Sequence, residues 1–118
     1  MASLNKVFLI GNMTKNPEIR YSPAGTAVCE FSIAMNRKYK DNAGQEHDEP
    51  CFVDVFVFGK TGESIMRYTQ KGSSVFVEGR LVYEPWEDKH TGAKRSRLRV
   101  NADRVQFLDR RESSQAGE

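Results

Sequence analysis

The chain of 118 residues has the usual size of one domain, and a domain of this size buries about two-thirds of its unfolded surface. Hydrophobic residues make up 38% and charged residues 29%, a composition that argues against wholesale disorder. No apolar run approaches the roughly 18–20 residues that span a bilayer, and the first residues lack the pattern of a signal or transit peptide. The sequence therefore predicts a folded protein that makes no membrane contact and stays in the cytoplasm.

The net charge of +2 hides an uneven distribution of charge. Residues 89–111 carry eight basic and two acidic side chains, so this segment has a charge of +6 and the remainder a charge of −4. A basic segment on a nearly neutral chain indicates a face that binds a polyanion.

Alternation of apolar and polar residues predicts five strands along the chain. They cover residues 4–13, 26–36, 50–58, 74–84 and 94–102, the last with an irregular extension through Phe107. A short helix is predicted at residues 61–68, and loops are predicted at residues 37–49 and 85–92. Five strands with one short helix between strands 3 and 4 is the element order of an OB fold, so we expect an all-β, five-stranded Greek-key barrel.

The chain shows no internal repeat and no linker. Residues 1–109 are therefore expected to form one OB-fold domain, followed by a polar, disordered tail at residues 110–118.

The two cysteines, Cys29 and Cys51, form no CxxC pattern and lie in apolar runs that resemble strands. This placement predicts two small buried residues in a reducing compartment.

The third predicted strand has one ordinary core face, formed by Val53, Val55 and Val57. Its opposite face carries an aspartate and three phenylalanines: Asp54, Phe52, Phe56 and Phe58. Because an unpaired Asp is rarely buried, we predict that these phenylalanines lie on a partly solvated surface, which suits stacking on nucleobases. The alternative is that a neighbouring element or subunit buries this face and that Asp54 finds a partner there.

The fifth predicted strand places three arginines on one face: Arg95, Arg97 and Arg99. By strand rise they form a ridge roughly 13 Å long, enough to follow several phosphates of a nucleic-acid backbone. A run of charges is commonly only a solvated face, but no acidic residue occurs between Lys89 and Ala102. This absence favours a phosphate-binding ridge.

The two predicted loops place aromatic residues next to bases, with Tyr39 beside Lys38 and Trp86 close to Lys89. Such loops fit a groove that holds a single strand of nucleic acid, although acidic residues reduce the positive charge of both loops.

The sequence shows no group of residues typical of a catalytic or metal-binding site. The Gly59-Lys60-Thr61 sequence lacks the first glycine of a phosphate-binding loop, and His47 with Cys51 lacks the second cysteine of a zinc deaminase site.

Several segments in order along the chain resemble bacterial single-stranded DNA-binding proteins, an OB-fold family. They are Asn5–Val7 with Leu9–Asn12, Pro17–Tyr21, Gly25–Val28, Val57–Lys60, Tyr68 with Lys71–Ser73, and Val77–Leu81 followed by Trp86. The resemblance covers about residues 4–108. It implies a homotetramer that wraps single-stranded DNA in replication, recombination and repair, associated with the bacterial nucleoid, with no enzyme activity and no cofactor.

The resemblance assigns base stacking to four aromatic residues: Tyr39, Phe52, Phe58 and Trp86. Tyr39 and Phe52 are smaller rings than those of the best-known members, which predicts weaker stacking at each site. Phosphate contacts are predicted for eight cations: Arg37, Lys38, Lys60, Lys71, Arg80, Arg95, Arg97 and Arg99.

Two features depart from the family pattern. Members commonly end in an acidic, phenylalanine-terminated tip that recruits replication and repair proteins, and residues 112–118 lack it, so either the tail is truncated or this recruitment is absent. Val82 and Glu84 stand where better-known members carry bases. We expect the arginines at 95, 97 and 99 to compensate for them.

Two other classes of binding protein remain open. One is a related OB-fold protein of the replication-restart primosome, which binds DNA, mainly bridges other proteins and forms a dimer. The other is an OB-fold interaction module whose phenylalanine face binds a peptide. An enzyme is the weakest alternative.

Overall fold

The computed structural model describes residues 1–108, so the predicted tail at residues 110–118 lies outside the described part of the chain. The described residues form six strands and one helix, in the order β1 (Val7–Met13), β2 (Glu18–Tyr21), β3 (Ala27–Lys40), β4 (Glu46–Phe58), α1 (Lys60–Tyr68), β5 (Ser74–Glu87) and β6 (Lys94–Leu108). Among residues 1–108, no helix is both long enough and apolar enough to span a membrane.

Five of the strands close into a barrel. Neighbouring strands pair in the order β1-β5-β6-β4-β3, and β3 pairs again with β1, where Ala34 lies opposite Asn12. The pairing is antiparallel except between β4 and β6, which run parallel where Val55 lies opposite Val100. The short β2 pairs with β3 outside this ring. The predicted five-stranded OB-fold barrel, with its helix between the third and fourth barrel strands, is confirmed.

The core forms from the inward-facing residues of the barrel strands together with Ile65 of α1. Its buried members are Met13, Cys29, Phe31, Ile33, Val55, Val57, Ile65, Val75, Val77, Val100 and Ala102. Burial raises the pKa of the Cys29 thiol to about 11, which keeps it protonated at neutral pH. The prediction for Cys51 is wrong: this residue is exposed, because it lies where β4 runs beyond the core.

Gly79 lies at a β-bulge between β5 and β6 that keeps both halves of β6 facing the core. It lies opposite Ala102, whereas the preceding Glu78 lies opposite Arg104, so β6 carries one extra residue, Asp103, at a β-bulge. The bulge reverses the alternation of β6, and Val100 and Val105 can therefore both face the core. This reversal is the physical cause of the irregular extension that the sequence pattern shows.

Two hairpins extend beyond the core where loops are predicted. Residues 37–40 pair with residues 46–49, and residues 84–87 pair with residues 94–97. Both loop predictions are therefore too long, although the second segment does end in a hairpin tip. Most side chains on both faces of these arms are exposed, so the apolar alternation disappears while the ladder of backbone hydrogen bonds continues.

Each hairpin tip is closed by an aspartate and a glycine. Asp41 accepts hydrogen bonds from the backbone N–H groups of Ala43 and Gln45, both at 2.9 Å, and Gly44 takes a φ of +84°. At the other tip, Asp88 accepts a bond of 2.8 Å from the N–H of His90. These short side-chain-to-backbone bonds fix the tips locally.

Candidate nucleic-acid interface

Side chains that point away from the barrel interior on neighbouring strands form one surface, which we call the outer face. Strand pairing aligns Glu84 with Arg97, Phe56 with Asn101, and Asp54 with Ser32. The outer face contains Arg80, Val82, Glu84 and Trp86 on β5, Arg95, Arg97 and Arg99 on β6, Phe52, Asp54, Phe56 and Phe58 on β4, and Glu30 and Ser32 on β3.

Three predicted stacking residues are exposed on the outer face. Their exposed fractions are 67% for Phe52, 50% for Phe58 and 45% for Trp86. Phe56 is only 6% exposed, so its predicted exposure is wrong. Two contacts cover the Phe56 ring. The guanidinium of Arg99 lies 4.2 Å from the centre of this ring, and the Phe58 ring packs against it edge-on with 5.6 Å between the two ring centres.

Trp86 lies beside the arginine ridge rather than in a separate loop. The guanidinium of Arg97 lies 5.7 Å from the centre of the indole, within reach of a cation–π contact. An open depression borders this pair and is also lined by Tyr83, Glu84 and Pro85. The stacking residue and the cation therefore share one local surface.

The arginine ridge exists, but acidic residues of other strands neutralise part of it. Arg97 lies 2.9 Å from Glu84, and Arg99 bridges Glu84 at 2.7 Å and Glu30 at 3.0 Å. The absence of acidic residues between 89 and 102 therefore does not leave these arginines unpaired. The signal that reveals Glu84 is the hairpin register, which places it opposite Arg97 once the tip is located.

The carboxylates of this network hold their charge strongly. Hydrogen bonds from Arg99 and Arg97 lower the pKa of Glu84. Burial raises the pKa of Glu30, but hydrogen bonds from Arg20 and Arg99 outweigh it, so that the net shift is downward. The side chain of Arg99 is only 13% exposed, so it depends on these two partners for its charge compensation.

Stability should fall below about pH 4.5 as this network loses its negative charges. Because the folded pKa of Glu84 lies below its ordinary value of 4.5, ionised Glu84 stabilises the fold above that value and loses its contribution as the pH falls through the lowered pKa. We expect Glu84→Gln to lose less unfolding free energy than the parent protein between about pH 6 and pH 3, as measured by urea unfolding. Equal losses in the two proteins would contradict this.

Tyr39 lies apart from the other stacking residues. It pairs with His47, and strand alternation places both on the opposite face of the β3–β4 hairpin from Phe52. Its ring is 38% exposed and stacks on the His47 ring at 5.1 Å, while Arg37 lies 5.1 Å from its centre. His47 also contacts Asp41 at 2.8 Å, and this bond lowers the pKa of Asp41.

The remaining predicted cations are spread around the barrel. Arg80 lies on the outer face, 3.7 Å from Asp103. Lys60 is exposed at the start of α1, two residues after Phe58, and Lys71 is exposed in the turn before β5. Within residues 1–108, no three His, Cys, Asp or Glu side chains are grouped so that they could hold a metal ion.

Comparison with known proteins places these features in a family. The model of the single-strand binding protein family matches residues 4–108. The single-stranded DNA-binding protein of Wolinella succinogenes is 48% identical over 113 residues, which cover 96% of this chain and 69% of the relative. That of Helicobacter hepaticus is 44% identical and covers 92% of this chain and 64% of the relative. The chain thus spans about two-thirds of the length of these relatives.

Solved structures give the same result. The Plasmodium falciparum SSB in complex with ssDNA superposes with a TM-score of 0.85 at 26% identity, and the match covers 92% of this chain and 98% of that one. The wild-type single-stranded DNA binding protein of Thermus aquaticus superposes with a TM-score of 0.78 at 36% identity, covering 92% of this chain and 52% of that one. The barrel, the outer face and the sequence matches lead to one conclusion: this chain belongs to the single-strand binding protein family.

Proposed function

We propose that the chain binds single-stranded DNA with little sequence specificity, and that it protects and organises the strand during replication, recombination and repair. The observation that carries this proposal is the outer face, which holds the exposed rings of Phe52, Phe58 and Trp86 together with the arginines of β6, where Trp86 lies next to Arg97. Aromatic faces accept unstacked bases of any identity, while cations neutralise phosphates and release counterions.

Selectivity for single strands follows from the same chemistry. Bases in a duplex cannot present their faces without the cost of unstacking, so exposed rings favour a strand that is already open. Sequence-specific proteins commonly read base edges with a helix in the major groove. Here α1 packs against the barrel through Ile65 and Gly62, which are both buried, so no such helix projects from residues 1–108. We propose that the protein has no catalytic activity.

Titration with oligo(dT) at low and high salt tests the function directly, because Trp86 is the only tryptophan and its fluorescence reports on the site. We expect saturable quenching, weaker at high salt, and little response to a duplex of equal length. Tight binding without quenching would remove Trp86 from the site. Absence of binding even at low salt would contradict DNA binding and favour a peptide partner for the phenylalanine face.

Substitutions of Arg97 and of Glu84 should change the affinity for DNA in opposite directions. Arg97→Ala removes a phosphate contact, so we expect weaker binding and a salt slope that is shallower by about 0.7 for each phosphate lost. Glu84→Gln removes a carboxylate that competes with phosphate for Arg97, so we expect tighter binding. Arg67→Ala, an exposed cation on α1, is the control. An Arg97→Ala protein with unchanged affinity and salt slope would contradict the assignment.

We also propose that the chain assembles as a homotetramer through an apolar surface of β1 and β5. Phe8 and Ile10 are each 61% exposed, and the ring of Phe8 stacks on that of Phe76 at 6.4 Å. Apolar residues grouped in this way mark interaction surfaces. The molar mass in solution tests this, and a dimer would favour the primosome-like alternative.

With DNA as ligand, we propose that the protein lies with the nucleoid in the cytoplasm, among replication and repair proteins.

A further inference from the structure

Phosphate binding does not explain the presence of Asp54 on the outer face. This exposed residue lies on β4 between Phe52 and Phe58, and its Oδ1 accepts a hydrogen bond of 2.5 Å from the hydroxyl of Ser32. Within residues 1–108, Asp54 forms no ion pair, and its Oδ2 accepts no hydrogen bond. A lone carboxylate repels a polyanion, so at this position it weakens electrostatic attraction rather than strengthening it.

The shortest path between the rings of Phe52 and Phe58 runs over Asp54. Phe52 and Phe58 are six residues apart on one strand, which is about 20 Å by strand rise. Neighbouring stacked bases are only about 3.4 Å apart, so a DNA strand that follows this path and stacks on both rings places intervening nucleotides above β4. Phe56, the ring between the two, is buried beneath Arg99 and offers no third stacking surface. The intervening bases therefore meet polar groups instead of a ring.

A depression of about 170 Å³ opens beside Asp54 on the outer face. Its lining residues are Lys15, Glu18, Glu30, Phe31, Ser32, Asp54, Val55, Arg97 and Arg99. Arg99 is bound by Glu84 and Glu30, Glu30 is also bound by Arg20, and Arg97 contacts Glu84 through its Nε atom. Asp54 uses only its Oδ1 in the bond with Ser32, so within residues 1–108 its Oδ2 is left to accept a hydrogen bond from a molecule lying in the depression.

We propose that Asp54 accepts a hydrogen bond from the exocyclic amine of a base that lies in this depression, an inference that rests on the proposed DNA binding. Cytosine presents such an amine at N4, whereas thymine presents the O4 oxygen, which a carboxylate repels. Stacking on Phe52 and Phe58 remains tolerant of base identity. Asp54 therefore shifts the relative affinities toward bases that carry an amine, compared with the affinities that stacking alone would give.

The affinities of the parent protein and of Asp54→Asn for oligo(dC) and oligo(dT) of equal length, at one salt concentration and slightly alkaline pH, test this proposal. The quantity to compare is the Kd for oligo(dT) divided by the Kd for oligo(dC). Asn keeps the shape of Asp but donates from its amide to thymine O4, so we expect this ratio to fall by about fivefold or more. Loss of charge alone would raise both affinities equally and leave the ratio unchanged.

Two further variants separate base recognition from charge. Glu18→Gln removes the same charge from the same depression, but Glu18 lies on β2 beyond β3, so we expect an unchanged ratio. Ser32→Ala keeps the charge and removes the bond that holds the Asp54 carboxylate, so we expect a lower ratio with an unchanged salt slope.

The outcomes distinguish this inference from the function on which it rests. If Asp54→Asn and Glu18→Gln both leave the ratio unchanged while both oligonucleotides still bind, base recognition by Asp54 is overturned and DNA binding stands. If the parent protein binds neither oligonucleotide, both are overturned.

Discussion

Replacing Phe52 and Phe58 together by alanine should weaken binding to oligo(dT) by at least about thirtyfold at fixed salt. Each stacked base contributes about 1–3 kcal/mol, and these two rings are the most exposed aromatic side chains of β4. Because both lie on the outer face of one strand, their loss leaves the core intact. The salt slope should stay the same, since no phosphate contact is removed.

Tyr68→Ala is the matched control for this double variant. Tyr68 is 65% exposed, but it lies at the end of α1, where it contacts Phe107 rather than any residue of the outer face. We expect its affinity for oligo(dT) to equal that of the parent. Comparable losses in the two proteins would show that exposed aromatic area in general, rather than the outer face, determines binding.

Gly79→Ala should be among the most destabilising single substitutions in the barrel. A Cβ atom at this position would lie 2.2 Å from the backbone oxygen of Asn101 and 2.9 Å from the Cα of Ala102. Both are backbone atoms, so β6 must shift and the bulge that aligns Val100 and Val105 with the core is strained. We expect a loss of about 3 kcal/mol of unfolding free energy, the upper end for overpacking, measured by urea unfolding.

Gly92→Ala separates this steric effect from the backbone cost of replacing glycine. Its Cβ would meet no atom within 4 Å, although its φ of +75° favours glycine. We expect a loss of only about 1 kcal/mol, from backbone strain at the hairpin tip. Similar losses at residues 79 and 92 would contradict the close approach at the bulge.

The barrel could be predicted from the sequence because its strands have one buried face. Alternation at Cys29, Phe31 and Ile33 gives the second barrel strand its register, and the glycine after Phe58 separates strand from helix. The hairpin arms could not be recognised in this way, because strand pairs with two solvated faces carry no apolar period. Their tips carry a weaker signal, an aspartate followed by a glycine at Asp41–Gly44 and Asp88–Gly92.

The site was predictable in its residue types but not in its contacts. Phe56 has the same strand parity as Phe52 and Phe58, and only the approach of Arg99 from β6 makes it different. Glu30 binds Arg99 across a separation of 69 residues, which no local pattern encodes. The variants above test the predicted roles of Phe52, Phe58 and Arg97 directly.

The two hairpin arms have a thermodynamic consequence for association. Their backbones are already paired, residue by residue, up to tips closed by Asp41 and Asp88. Flexible loops would lose about 1–2 kcal/mol of conformational freedom for each residue that DNA orders. The paired arms lose this freedom during folding instead. A larger share of the free energy of each contact with DNA therefore contributes to the affinity.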